Sequence, residues 1–186
     1  MGDAGKIAPM TAEAFLEWAG RLGERYELSD GVAVAMAPET VKHARTKASA
    51  WATLDRAIRK AGLDCEAFID GIGVRIDDTS LYIPDVLVRC GEPAEAEALE
   101  IEDPTIVVEV ASDSTGGVDL NRKFRDYFRL ESLRHYLILL GEDRGIIHHA
   151  RNPESVDILS RIYSEGEIRL DPPGLTVTVE ALYGFQ

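Results

Sequence analysis

The sequence predicts a mixed α/β fold, a twisted sheet flanked by helices, and three observations carry that expectation. The run Thr105-Ile106-Val107-Val108-Glu109-Val110-Ala111 is β-branched, apolar on both faces and interrupted once, the pattern of a central strand. Amphipathic helical patterns stand on both sides of it in the chain. Short apolar runs separated by Gly- and Asp-containing turns supply further strands. No linker rich in Gly, Ser or Pro divides the chain, so its 186 residues are expected to fold as a single domain, 1–186, with residues 1–10 a flexible N-terminus.

Thr11 is placed to cap a first helix over Ala12 to Leu22. Tyr26 to Leu28 and Val32 to Met36 flank Ser29-Asp30-Gly31 and read as a hairpin. Thr40 is the expected cap of a long helix that ends near Ala61, with Gly62 just beyond. Two short strands are expected between Cys65 and Ile76, about Asp70-Gly71. A third runs from Leu81 to Val88, where Pro84 implies an edge position or a break in pairing. Glu92 to Asp103 holds six acids and no basic residue and reads as a solvated, mobile connection. After the central strand come a helix over Asp119 to Leu130 and a buried strand over Tyr136 to Leu140. Strands over Ile146 to Ala150, Val156 to Tyr163 and Leu175 to Val179 complete the series.

Composition excludes several classes. With 45% hydrophobic and 28% charged residues the chain is globular rather than disordered. No run approaches the ~18 apolar residues of a membrane span, and Met1 to Pro9 lacks the core of an export signal. A cytoplasmic location with no membrane partner is therefore expected, with Cys65 and Cys90 as reduced core residues. No P-loop ending follows Ser112 to Gly117, and Gly71-Ile72-Gly73 lacks a third glycine, so no nucleotide cofactor is expected. His148 and His149 have no Cys or acid at zinc-like spacing. Twenty basic against 33 acidic residues leave a net charge of −13, which opposes broad binding to phosphate backbones but not a small local site.

Two residues break their patterns. Glu109 interrupts an apolar strand, where an ionised carboxylate needs a partner, a proton or a metal. Asp85 does the same in Ile83 to Val88, and if the two strands are neighbours their carboxylates meet in the outline of a Mg²⁺ site. Lys123 falls on the apolar face of its helix with Leu120, Phe124 and Tyr127, while Arg122, Arg125 and Arg129 fall on the opposite side. Its partner is either Glu109, on the preceding strand, or Asp119, one helical turn earlier.

Ile83-Pro84-Asp85-Val86, Val107 to Thr115 and Asp119-Leu120-Asn121-Arg122-Lys123 resemble the Uma-type family of "putative restriction endonucleases", within the PD-(D/E)XK nuclease superfamily. The likeness extends from about Tyr26 to about Leu140 and includes Tyr26 to Gly31 and Pro38 to His43. It implies a restriction-endonuclease-like fold in which Asp85 and Glu109 bind a divalent metal, Mg²⁺ or Mn²⁺. The superfamily's usual lysine position is Ala111 here; the family's pattern moves that lysine to the following helix, where Lys123 stands. Glu27 would be an additional acid near the metal. Asp113 stands where the family commonly has proline.

The physical roles follow. A metal held by Asp85, Glu109 and the Val110 backbone carbonyl would polarise a phosphodiester and acidify a bound water. Lys123 would orient that water or stabilise charge on phosphorus. Glu27 is either a ligand or a solvated hairpin residue, and His43 either faces the cleft or lies on the helix surface. Ser112, Ser114 and Asp119 are accessory candidates. DNA is the expected substrate, with Arg122, Lys123, Arg125, Arg129 and Arg134 as a local basic cluster. A homodimer is expected for cutting both strands. The alternatives are a non-catalytic binding or assembly module on the same fold, and a hydrolase of a smaller phosphate ester.

Overall fold

The computed structural model describes residues 9–22, 25–111, 117–141 and 144–184, and for 117–119 the backbone alone. Helix α1 (Ala12–Ala19) precedes a hairpin of β1 (Tyr26–Ser29) and β2 (Val32–Ala35). The long α2 (Val41–Ala61) leads into β3 (Cys65–Ile69), β4 (Gly73–Asp77), β5 (Ser80–Tyr82) and β6 (Val86–Cys90). Short β7 (Glu100–Ile101) comes before β8 (Ile106–Ala111), α3 (Gly117–Tyr127) and β9 (His135–Leu140). The last elements are β10 (Ile146–Arg151), β11 (Ile158–Tyr163), β12 (Glu167–Leu170), β13 (Leu175–Thr178) and α4 (Val179–Tyr183).

The larger sheet has the order β11-β10-β9-β8-β6-β3 and the second β2-β1-β5-β4-β7, while β12 and β13 pair separately. Only β8–β9 and β4–β7 are parallel among these pairs. The mixed α/β class is therefore as the sequence implies, with helices on both faces of the larger sheet. Strand alternation divides β8: Val108 and Val110 pack with Ala50, Leu54 and Ile58 of α2. Val107 packs with Tyr127 of α3, Tyr136 and Ile138 on the other face. Glu109 has the parity of Val107 and so faces α3. Thr11 and Thr40 cap their helices through their hydroxyls, and Gly62 closes α2 in the left-handed region. Asp30 and Gly31 both take positive φ, 48° and 75°, the backbone that a two-residue hairpin turn requires.

Two of the chain's passages between the two large sheets lie at Asp70-Gly71-Ile72 and at Ile83-Pro84-Asp85. The strand expected from Leu81 to Val88 is thus two strands. Pro84, without an N–H, stands at the break where pairing passes from one sheet to the other. The crossings are joined by a backbone hydrogen bond from Asp70 N to Asp85 O, 3.1 Å.

Several expectations are corrected. Cys65 and Cys90 are not reduced: they are direct cross-strand partners on β3 and β6 and form a disulfide. Their spacing of 25 residues conceals a register that only the sheet creates. The acidic segment Glu92 to Asp103 is not wholly a solvated connection, because β7 pairs with β4 and buries Ile101. Arg75 grips Glu100 through two bonds of 3.0 and 2.7 Å, and Arg89 binds Asp103 at 2.7 Å. Strand β12, where Ile168 and Leu170 alternate inward, was not expected, and Val179 begins α4 after the Thr178 cap rather than ending a strand. Helix α1 stops at Ala19, short of Leu22. The flexible terminus expected over 1–10 falls largely outside the described residues, since residues 1–8 are not among them.

His148 forms a buried pair with His135. The Pro172 carbonyl can only accept, so His135 Nε2 donates to it at 2.8 Å. His135 Nδ1 therefore accepts from His148 Nε2 at 3.0 Å. Burial pushes His135 from 6.5 down to about 4, and His148 from 6.5 down to about 3. Between pH 6.5 and those values the unfolded chain binds more protons than the folded one, so stability rises with pH and falls on acidification. Each imidazole can contribute up to about 1.4 kcal/mol per pH unit. Urea unfolding at pH 7 and pH 5 is expected to show this loss, and His148→Gln should make it shallower.

Candidate active site

Antiparallel pairing sets Val86 opposite Val108, and one further step in that register brings Asp85 opposite Glu109 at the open end of β6. The ladder stops there, and Asp85 Oδ2 takes the Val110 N–H at 2.7 Å. A strand residue directs its N–H and C=O to the same side. The Val110 carbonyl thus shares the side on which Asp85 sits. Glu27 comes from β1 of the second sheet and accepts the Ile83 N–H at 2.9 Å, which fixes it against the crossing. Helix α3 lies over the same face and inserts Lys123 between the sheets. Its Nζ is 2.9 Å from Glu27 Oε1 and 3.1 Å from Glu109 Oε1. The Tyr127 hydroxyl, one turn on, donates to that same Glu109 oxygen at 3.1 Å.

The other flank is built by the N-terminal half of α2. His43 Nε2 is 2.9 Å from Asp85 Oδ1. One turn later Lys47 Nζ contacts Glu39, lies 2.9 Å from Asp70 Oδ2 and stands 3.8 Å from Asp85 Oδ1. Arg25 adds contacts to both Glu39 and Asp70. Glu27, Lys47, Asp85, Glu109 and Lys123 are all no more than 9% exposed.

Burial is the main force on the Glu109 carboxyl and pushes it up; Lys123 opposes this, while Glu27 and Asp85 reinforce it. Burial also raises the Tyr127 hydroxyl far above its ordinary value. Burial works to lower Lys47, but Glu39, Asp70 and Asp85 outweigh it and hold its value up. The hydrogen bond to Asp85 raises His43 against burial. Counted formally, with every carboxylate ionised and His43 uncharged, Glu27, Glu39, Asp70, Asp85 and Glu109 bring five negative charges. Arg25, Lys47 and Lys123 bring three positive ones, which leaves −2. Carboxylate oxygens with a backbone carbonyl and a residual −2 fit a hard divalent cation such as Mg²⁺ or Mn²⁺.

Asp85, Glu109, Lys123 and Glu27, picked out in the sequence, are thus brought together, and His43 faces the cleft rather than the helix surface. Ser112 and Ser114 lie outside the described residues, as do Asp113 and the Asp119 side chain that would compete for Lys123. Much of the basic cluster is spent within the fold: Arg122 of α3 pairs with Asp30 and Asp126, and Arg129, just beyond that helix, with Asp77 and Asp126. The sequence reading missed Lys47, Glu39, Asp70, Arg25 and the Tyr127 hydroxyl. Lys47 had a usable signal, since it falls on the α2 stripe of Ala50, Leu54 and Ile58 just as Lys123 falls on the stripe of α3. Asp70, on a turn, had none.

Comparison with known proteins gives the chain a family and a shared fold. Residues 12–182 match the model of the Uma2 family, described as "Putative restriction endonuclease". The uncharacterized protein slr1290 of Synechocystis is 28% identical over 180 residues, 96% of this chain and 92% of that relative. The uncharacterized protein sll1609 of the same organism is 26% identical over 133 residues, 70% of this chain and 74% of its own length. The crystal structure of "a putative nuclease belonging to DUF820" from Anabaena variabilis shares the fold, with a TM-score of 0.74 at 14% identity. The match covers 94% of this chain and 98% of that one.

Removing the Lys123 ammonium leaves Glu27 and Glu109 buried without it. Lys123→Met is expected to cost about 3–5 kcal/mol in urea unfolding without metal. Adding Glu109→Gln to that variant should recover part of the loss, because one buried charge is then removed.

Proposed function

The chain belongs to the Uma2 family of "Putative restriction endonuclease" proteins, and from that premise we propose that it is a metal-dependent endonuclease hydrolysing DNA phosphodiesters. The observation that carries the proposal is the meeting of Asp85 and Glu109 at the open end of β6 and β8, with the Lys123 ammonium 3.1 Å from Glu109. Asp85, Glu109 and the Val110 carbonyl would hold Mg²⁺ or Mn²⁺. When bound, the ion supplies Lewis-acid polarisation of the phosphate and a water acidified toward neutrality. Glu27 holds Lys123 in place and keeps its ammonium aimed at the carboxylates. Lys123 orients the attacking water and stabilises negative charge as it grows on the phosphate oxygens.

The substrate's own charge needs cations that the fold has not already used. Lys42 and Arg45 are exposed on the first turns of α2, beside His43, and neither makes an ion pair with a described residue. At about 100° per residue their side chains turn away from that of His43, which suits contacts to backbone phosphates beyond the scissile one. Two copies of the chain would set one centre against each strand of a duplex. No helix among the described residues is long and apolar enough to cross a membrane.

A plasmid-nicking assay with Mg²⁺ or Mn²⁺ tests the proposal. Wild-type protein is expected to nick and to stop when the metal is chelated. Asp85→Ala and Glu109→Ala should lose both metal binding and cleavage. Lys123→Ala should lose about 10²–10⁴-fold in rate while still binding metal. Metal binding with no nicking by wild type would favour a smaller phosphate ester, and no metal binding would favour a non-catalytic module.

Lys42→Ala/Arg45→Ala should raise KM with little change in kcat. The slope of log affinity against log salt should fall by about 1 for each phosphate that no longer meets a cation.

A further inference from the structure

Lys47 takes no part in the chemistry described so far, yet it is as buried as Lys123 and as firmly held. Its ammonium contacts Glu39, lies 2.9 Å from Asp70 Oδ2 and is 3.8 Å from Asp85 Oδ1. His43 Nε2 reaches that same Asp85 oxygen at 2.9 Å. One ligand atom from each of Glu39, His43 and Asp85 lies within 4.8 Å of the others. Two carboxylates and an imidazole thus meet at one point, a donor set suited to a divalent cation, with Asp70 a third carboxylate on the Lys47 ammonium. The group standing among them is an ammonium, a compact point charge with three donors.

We propose that the Lys47 ammonium occupies the second cation position of this centre, so that the protein binds one divalent metal on the Glu109 side of Asp85 and none on the His43 side. The inference rests on the metal-dependent nuclease reading. The arrangement has two flanks. Lys123 joins Glu27 to Glu109 on one side, and Lys47 joins Glu39 to Asp70 beside Asp85 on the other. Lys47 is fixed by its helix, since Ala50 and Leu54 on the same stripe are fully buried against the larger sheet. A cation tethered in this way cannot be lost to dilution or chelation, and it gives Asp85 a permanent positive neighbour. Its removal changes the charge count directly. Glu39, Asp70 and Asp85 then face Arg25 and His43, and with His43 counted as neutral the formal local balance becomes −2, the charge that one further dication neutralises.

The test counts metal ions. Mn²⁺ is titrated into the full chain, with free Mn²⁺ read by electron paramagnetic resonance and heat by calorimetry. The samples are wild type, Lys47→Arg, Lys47→Ala and Lys47→Ala/His43→Ala, each checked for fold by circular dichroism. One site is expected in wild type and in Lys47→Arg, two in Lys47→Ala, and one again when His43 is also removed. Two sites in wild type, or a single site in a folded Lys47→Ala protein, would overturn the inference and leave the nuclease reading intact. No site in wild type and none in Lys47→Ala would instead remove the metal-dependent reading on which the inference stands. If Lys47→Ala does not fold, the wild-type and Lys47→Arg counts still decide, because two sites in either one refute a single-metal centre.

Discussion

Five carboxylates converge on one junction between two sheets, and the fold tolerates them because two buried ammonium groups stand among them. Lys123 separates Glu27 from Glu109, and Lys47 separates Glu39 from Asp70 beside Asp85. Without these cations each buried carboxylate would face a desolvation cost of several kcal/mol with like charges nearby. The helices that deliver the lysines pack on opposite faces of the larger sheet, α3 against Val107 and α2 against Val108. Core packing and site electrostatics are therefore one constraint. A shift of either helix that spoiled its apolar stripe would also withdraw its ammonium from the carboxylates.

The backbone prepares the place where those charges meet. The passages at Asp70-Gly71-Ile72 and at Ile83-Pro84-Asp85 each carry an aspartate of the site, and the Asp70 N–H to Asp85 carbonyl bond ties them together. Pro84 keeps the second passage out of either ladder, which leaves the Val110 N–H free to be taken by the Asp85 side chain instead of by a strand. The Ile83 N–H is likewise taken by Glu27. Two backbone donors orphaned by the break in pairing are thus what orient two of the acids. The gap in the sheet is the means by which the site is aimed.

Much of this was legible in the sequence, for reasons that differ by residue. Glu109 and Lys123 stood out because each violates an apolar periodicity, and a charged residue in such a place has to be met by another. Asp85 stood out beside Pro84 for the same reason. Lys47 obeys the same logic on α2 and was open to the same reading. Asp70, Glu39 and Arg25 were invisible, since turn and loop residues have no periodicity to break and join the site only through tertiary contact. The disulfide of Cys65 and Cys90 was hidden because register across β3 and β6 depends on the whole sheet. Strand β7 was hidden inside an acidic run, where Ile101 alone goes into the core and Arg75 neutralises its neighbour Glu100.

The net charge of −13 stands differently once the charges have positions. Part of it is the residual −2 of the junction, which a bound metal would cancel. Another part is the acidic segment from Glu92 to Asp103. Arg89 ties both of its ends, through the Glu92 carbonyl and the Asp103 carboxylate, to the end of β6 remote from Asp85. Arg122 of α3 and Arg129 just beyond it are already paired within the fold, so they add little to an external field. Lys42 and Arg45, exposed on the helix that also carries His43 and Lys47, make no ion pair with a described residue. For a phosphodiester, screening over about 8–10 Å makes a metal held at the junction count for more than the distant acids. An acidic protein is in that sense compatible with a polyanionic substrate, provided that contact is confined to a few phosphates around the scissile bond.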